Sequence, residues 1–151
     1  MSKQGFKELL VWQRSKNLAV SIYKLTSQGS IRNDFGLVDQ IRRSAVSVPS
    51  NIAEGDERST DRDSVRFFYI SKGSLAELIT QLEIAKEVGL VAGAEVDGIE
   101  KESAEIGKML GALIKARSRT FRPALLLVSF VCLAGYFLSK FVQPSPFAYH
   151  L

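Results

Sequence analysis

The stretch QIRRSAVSVPSNIAEG, residues Gln40 to Gly55, carries a proline in its middle and a glycine at its end, and the architecture turns on how it is read. Val38, Ile41, Ala45, Val48 and Ile52 recur at steps of three and four residues, the spacing of one helix face. Pro49 has no amide hydrogen, and its ring displaces the carbonyl four residues back, on Ala45, at a cost of roughly 3 kcal/mol in an unsupported helix. A break there would strand Ile52 outside any core, yet the stripe stays in phase across the proline. The stretch therefore predicts a continuous, kinked helix starting near Phe35, with Ser44, Ser47 or water satisfying the freed carbonyl and Gly55 as the residue just past its end.

The same period recurs on both sides. Phe6 to about Thr26 carries Leu9, Trp12, Ala19, Ile22 or Tyr23, and Thr26, and ends in the turn-forming SQGSIRND. A third segment opens after Ser59 and Thr60, where Thr60 followed by Asp63 resembles a capping box with Asp in place of Glu. Its stripe is Phe68, Leu75, Leu78 or Ile79, Leu82 and Ala85, closed by Gly89. A fourth runs from about Glu95 to Arg117 on Val96, Ile99, Ile106, Met109 or Leu110, and Leu113. Four amphipathic helices joined by short polar connections predict an all-α fold, an antiparallel up-down-up-down four-helix bundle over residues 1–119. Residues 120–151 form an additional apolar C-terminal segment.

Beside the apolar stripe of the second helix lies a polar one: Gln40, Arg43 or Ser44, Ser47, Asn51 and Glu54. Two readings fit it. In one, these groups lace the helix to its neighbours or to another subunit, because buried polar groups must be paired. In the other, Arg42 and Arg43 join Arg14 and Lys16 of the first helix in a phosphate-binding, nucleic-acid-facing surface. Consecutive residues diverge by about 100° on a helix, so Arg42 and Arg43 cannot both face one partner squarely. One of them is expected to pair internally.

The formal charge of +4 hides a division along the chain: the first fifty residues are mainly basic, and Glu77 to Glu105 is strongly acidic. The lone Cys132 excludes an intramolecular disulfide and sits in an apolar run with no base to activate it. His150 is the only histidine and lies in the tail, which leaves the helices without an imidazole base or a Glu-x-x-His metal pair. No glycine-rich phosphate loop occurs. GDERSTDRD mixes acids, bases and hydroxyls, but reads as a capping connection. These features predict no catalytic group, no metal and no cofactor. MSKQGFKELL lacks the apolar core of a secretion signal, which predicts a cytoplasmic protein.

The tail complicates that location. No charge occurs from Ala124 to Ser139, and Arg117, Arg119 and Arg122 precede the run. Residues 123–142 would make a short membrane contact with the bundle on the cytoplasmic side, marginal against the ~20 residues a bilayer core requires. An apolar helix docked on the bundle and an extension without a role fit equally.

LLVWQRSKNLAVSIYKLT, FGLVDQIRRSAVSVPSNIAEG, FFYISKGSLAELITQLEIAKEVGL and IGKMLGALI together resemble a known family, the four-helix-bundle proteins encoded by intervening sequences of bacterial large-subunit ribosomal RNA genes. They also look related to the accessory protein of diversity-generating retroelements. The resemblance covers roughly Phe6 to Lys115, and it implies an up-and-down bundle that assembles into a homopentameric ring, with RNA or DNA as the usual suggested partner. Two features depart from it: SQGSIRND lacks a proline, and the tail beyond about Arg122 is additional. The charge division independently favours head-to-tail assembly, in which a basic surface of one subunit meets an acidic surface of the next. Ser71, Gly73 and Ser74 are small enough to allow close helix approach. The expected function is a non-enzymatic, ring-forming adaptor for structured RNA or another nucleic acid, or alternatively a protein-interaction scaffold tethered to a membrane by its tail.

Overall fold

The computed structural model describes the backbone of residues 5–141 and the side chains of residues 5–118. Four α-helices account for most of it: α1 (Leu10–Thr26), α2 (Phe35–Asp56), α3 (Asp61–Glu87) and α4 (Gly93–Phe141). Short 3-10 turns occupy Gly5–Glu8 and Ile31–Asn33, and no strand occurs among the described residues. The first predicted helix thus divides into a 3-10 turn and α1. α1 packs on α2 and α4, and α3 packs on α2 and α4, with the α2–α3 contact the most extensive.

The stripes supply the core. Val38, Ile41, Ala45, Val48 and Ile52 of α2 are buried, and so are Phe68, Leu75, Leu78, Leu82 and Ala85 of α3. α4 contributes Val96, Ile106, Leu110 and Ile114, the last in place of the expected Leu113. α1 adds Val11, Leu18, Ala19 and Ile22, whereas Tyr23 stays exposed. Ile31, inside the segment read as a polar break, is among the most buried side chains and fastens the α1–α2 connection to the core.

α2 continues through Pro49, which is itself buried. Ser44 and Ser47 do not turn back to the carbonyl of Ala45. The Ser44 hydroxyl donates to the Ile41 carbonyl at 3.0 Å and to Gln81 Oε1 at 2.8 Å, and Ser47 Oγ lies 2.9 Å from Ser74 Oγ. Gly55 is not the residue past the helix end either, because α2 runs to Asp56 and is capped by Glu57. The glycine is needed for packing. A Cβ at this position would lie 2.6 Å from Phe68 Cε1 and 3.0 Å from Phe67 Cβ, too close for α2 and α3 to keep their separation.

α3 begins and ends as its residues predict. Thr60 is its N-cap and accepts from the Asp63 amide at 3.2 Å, while the Thr60 hydroxyl donates to Asp63 Oδ2 at 2.8 Å. At the other end Gly89 takes φ +78°, the left-handed conformation that suits glycine. Its amide donates to the Lys86 carbonyl and the Leu90 amide to the Ala85 carbonyl, a Schellman closure.

α4 runs on as backbone helix to Phe141, beyond the expected end near Arg117. Among the described residues no helix is long and apolar enough to cross a membrane. The side chains of 123–142, on which the expected membrane contact rests, lie outside the described residues.

Candidate nucleic-acid interface

The four cations singled out from the sequence do not form one surface. Arg14 points from α1 to α4, where its Nε and Nη2 donate to the two carboxylate oxygens of Glu102 at 2.8 and 2.6 Å. This bidentate contact raises the Arg14 guanidinium above its ordinary pKa and holds the Glu102 carboxyl below its own. Lys16, two residues on, lies about 200° around the helix and faces away from α4. It stands instead at the lip of a groove between α1 and α2.

Arg42 and Arg43 diverge as their adjacency demands. Arg42 folds back on the end of α1: Nε donates to Thr26 Oγ1 at 2.8 Å, Nη2 to Ser27 Oγ at 3.1 Å, and the guanidinium lies 4.8 Å from the Tyr23 ring centroid. A cation suits that place, since the last carbonyls of α1 carry partial negative charge. Arg43 is exposed and pairs with Asp39, one turn back on α2.

The polar stripe of α2 is chiefly a seam with α3. Asn51 Nδ2 donates to the Ser47 carbonyl at 2.8 Å and to Ser47 Oγ at 2.9 Å, and the Ser47 hydroxyl meets Ser74. Ser71, fully buried, donates to the Val48 carbonyl at 2.9 Å across the same seam. The stripe ends in solvent: Gln40 is exposed, and Glu54 pairs with Arg58, whose guanidinium sits 4.2 Å from the Phe67 ring centroid. Of the small residues on α3, Ser71 and Ser74 face α2, whereas a side chain at Gly73 would meet open space.

A different basic stripe stands on the outward side of α3. Arg62, Arg66, Tyr69 and Lys72 are all exposed, and steps of four, three and three place them along one side of the helix. None of the three cations pairs with a carboxylate among the described residues. The neighbouring acids that mask this stripe in the sequence are committed elsewhere. Asp63 closes the Thr60 cap, and Asp61 accepts from Arg117 Nη1 at 3.3 Å while Asp56 accepts from Arg117 Nη2 at 2.8 Å. The helical spacing of the cations was there to be read; the direction of the two aspartates was not.

The groove beside Lys16 has a volume of about 580 Å³ and is walled by Ala19, Val20 and Tyr23 of α1 and by Val46 and Pro49 of α2. Lys16 and Lys24 form its cationic rim. Among the described residues no three His, Cys, Asp or Glu side chains are grouped to hold a metal ion.

No curated protein matches the chain. Among solved structures, a protein of unknown function from the S23 ribosomal protein family of Bacteroides thetaiotaomicron is similar to it, with 27% identity and a TM-score of 0.64 over 70% of this chain and 99% of that one. The family pattern described as 23S rRNA-intervening sequence protein matches residues 7–112, which takes in α1, α2, α3 and the part of α4 that packs on them. The chain belongs to the 23S rRNA-intervening sequence protein family.

Proposed function

We propose that this protein is a non-enzymatic, ring-forming adaptor that binds structured RNA or another nucleic acid through a basic surface. The observation that carries the reading is the exposed stripe of Arg62, Arg66, Tyr69 and Lys72 on α3, with cations for phosphates and an aromatic face for a base. Arg14 is already paired across to α4, Arg43 with Asp39 on its own helix, and Arg42 is fastened to the end of α1, so all three are engaged within the subunit. In this reading the helices alternate in direction, in keeping with short connections and the contacts of α1 and α3 with both α2 and α4. α2 bends at Pro49, and the protein works in the cytoplasm.

The test is binding to structured ribosomal RNA fragments over a range of salt concentrations. Phosphate contacts give an affinity that falls steeply with salt, and each of Arg62→Ala, Arg66→Ala and Lys72→Ala should flatten the logarithmic slope by about 1. Arg14→Ala should leave the slope unchanged. Absence of binding even at low salt would overturn the reading and favour the second one, a protein-interaction scaffold, which the apolar α1–α2 groove supports.

A further inference from the structure

We infer that the groove between α1 and α2 is a docking site for a second copy of this chain, and that its occupant is the C-terminal end of α3, led by Ile84 and Val88. The inference rests on the ring formation proposed for this protein and names the surfaces that assembly would use. Val20, Tyr23 and Val46 are 48%, 45% and 41% exposed and stand together around one concavity, although each is large and apolar. Isolated exposed apolar side chains are ordinary, whereas a cluster around a concave surface marks an interaction site.

The occupant is chosen by shape and charge. Ile84 on α3 and Val88, the residue that caps it, are 49% and 62% exposed and, four residues apart, form one apolar ridge at the end of the helix. Glu77 and Glu87 are exposed on the same side and pair with no cation among the described residues. They span about 15 Å of helix, against about 12 Å between Lys16 and Lys24 on α1. An apolar ridge with two acids on its side of the helix thus meets an apolar groove rimmed by two lysines at similar spacing. Glu83 takes no part, because Lys86 already pairs with it at 2.6 Å.

The groove belongs to α1 and α2 and the ridge to α3, so the contact joins unlike surfaces and leaves one copy with a free ridge and the other with a free groove. Such heterologous contacts give a ring where the rotation between copies closes, as the proposed assembly requires. Along α3 the contact stays about 16 Å short of Arg66, although Lys72 at the end of the basic stripe lies only about 8 Å from Glu77.

The experiment is sedimentation velocity of the full-length chain, with helicity checked by circular dichroism. Val46→Glu and Ile84→Glu both alter exposed positions and should each convert the assembly to monomer with helicity unchanged. Lys24→Glu and Glu87→Lys should each weaken assembly at least tenfold, and the two together should restore it. Persistence of the assembly in Val46→Glu and Ile84→Glu, or failure of the paired reversal to restore it, would overturn this interface and leave ring formation standing. A native chain that is monomeric at every concentration would overturn both.

Discussion

The contact between Arg14 and Glu102 shows how far a single residue can be understood from its neighbours in the chain. Arg43 and Asp39 stand four apart on one helix, and their pairing is legible in the sequence. Arg14 finds its carboxylate on α4, a relation that local pattern does not encode, so it looks like a free cation until α1 and α4 are packed together. The pairing has a definite pH signature. Glu102 is held below its ordinary value of 4.5 chiefly by the Arg14 hydrogen bond, with burial opposing and the guanidinium charge assisting. Its contribution to stability is therefore fully present above that ordinary value and is lost as pH falls through the lowered one. Thermal unfolding of Glu102→Gln should lie below the native chain at neutral pH, and the difference should shrink to nothing in acid. A difference that stayed constant with pH would mean that the charge of Glu102 contributes nothing.

Within elements, the apolar stripes of α2 and α3 were readable residue by residue because both helices present a regular face to a core. Glycines were not, since one that ends a helix and one that lets two helices touch look alike in a string of letters. Gly55 and Gly73 are both inside helices, but one is pressed against Phe67 and Phe68 and the other faces open space. Alanine gains about 1 kcal/mol over glycine in a helix interior, and that gain should appear undiminished in Gly73→Ala. At Gly55 the added methyl meets Phe68, which is fully buried and cannot swing away, and overpacking costs about 1–3 kcal/mol. The urea midpoint should rise for Gly73→Ala and fall for Gly55→Ala. Ser71 carries the same lesson: smallness predicted close approach, but only the packed helices reveal that its hydroxyl is spent on the Val48 carbonyl.

Across the whole molecule, Arg117 marks the boundary between the packed bundle and the C-terminal extension of α4. In the sequence it stands among the positive residues flanking the apolar run, a reading based on distance from that run alone. In three dimensions its guanidinium ties the end of α2, through Asp56, to the start of α3, through Asp61, where α4 passes both. Among the described residues the last core side chain is Ile114, one turn earlier. A chain ending at Ser118 therefore retains both the core and this clamp, and it should unfold cooperatively with the near-ultraviolet dichroism of a packed interior. Replacing Arg117 by Met in that shorter chain keeps much of the side-chain bulk but leaves two partly buried carboxylates without their donor. The expected loss is about 1–3 kcal/mol in urea unfolding. If the chain ending at Ser118 lost its tertiary dichroism while Arg117→Met cost nothing, residues beyond 118 would have to be counted as part of the folded core, and the clamp would hold nothing together.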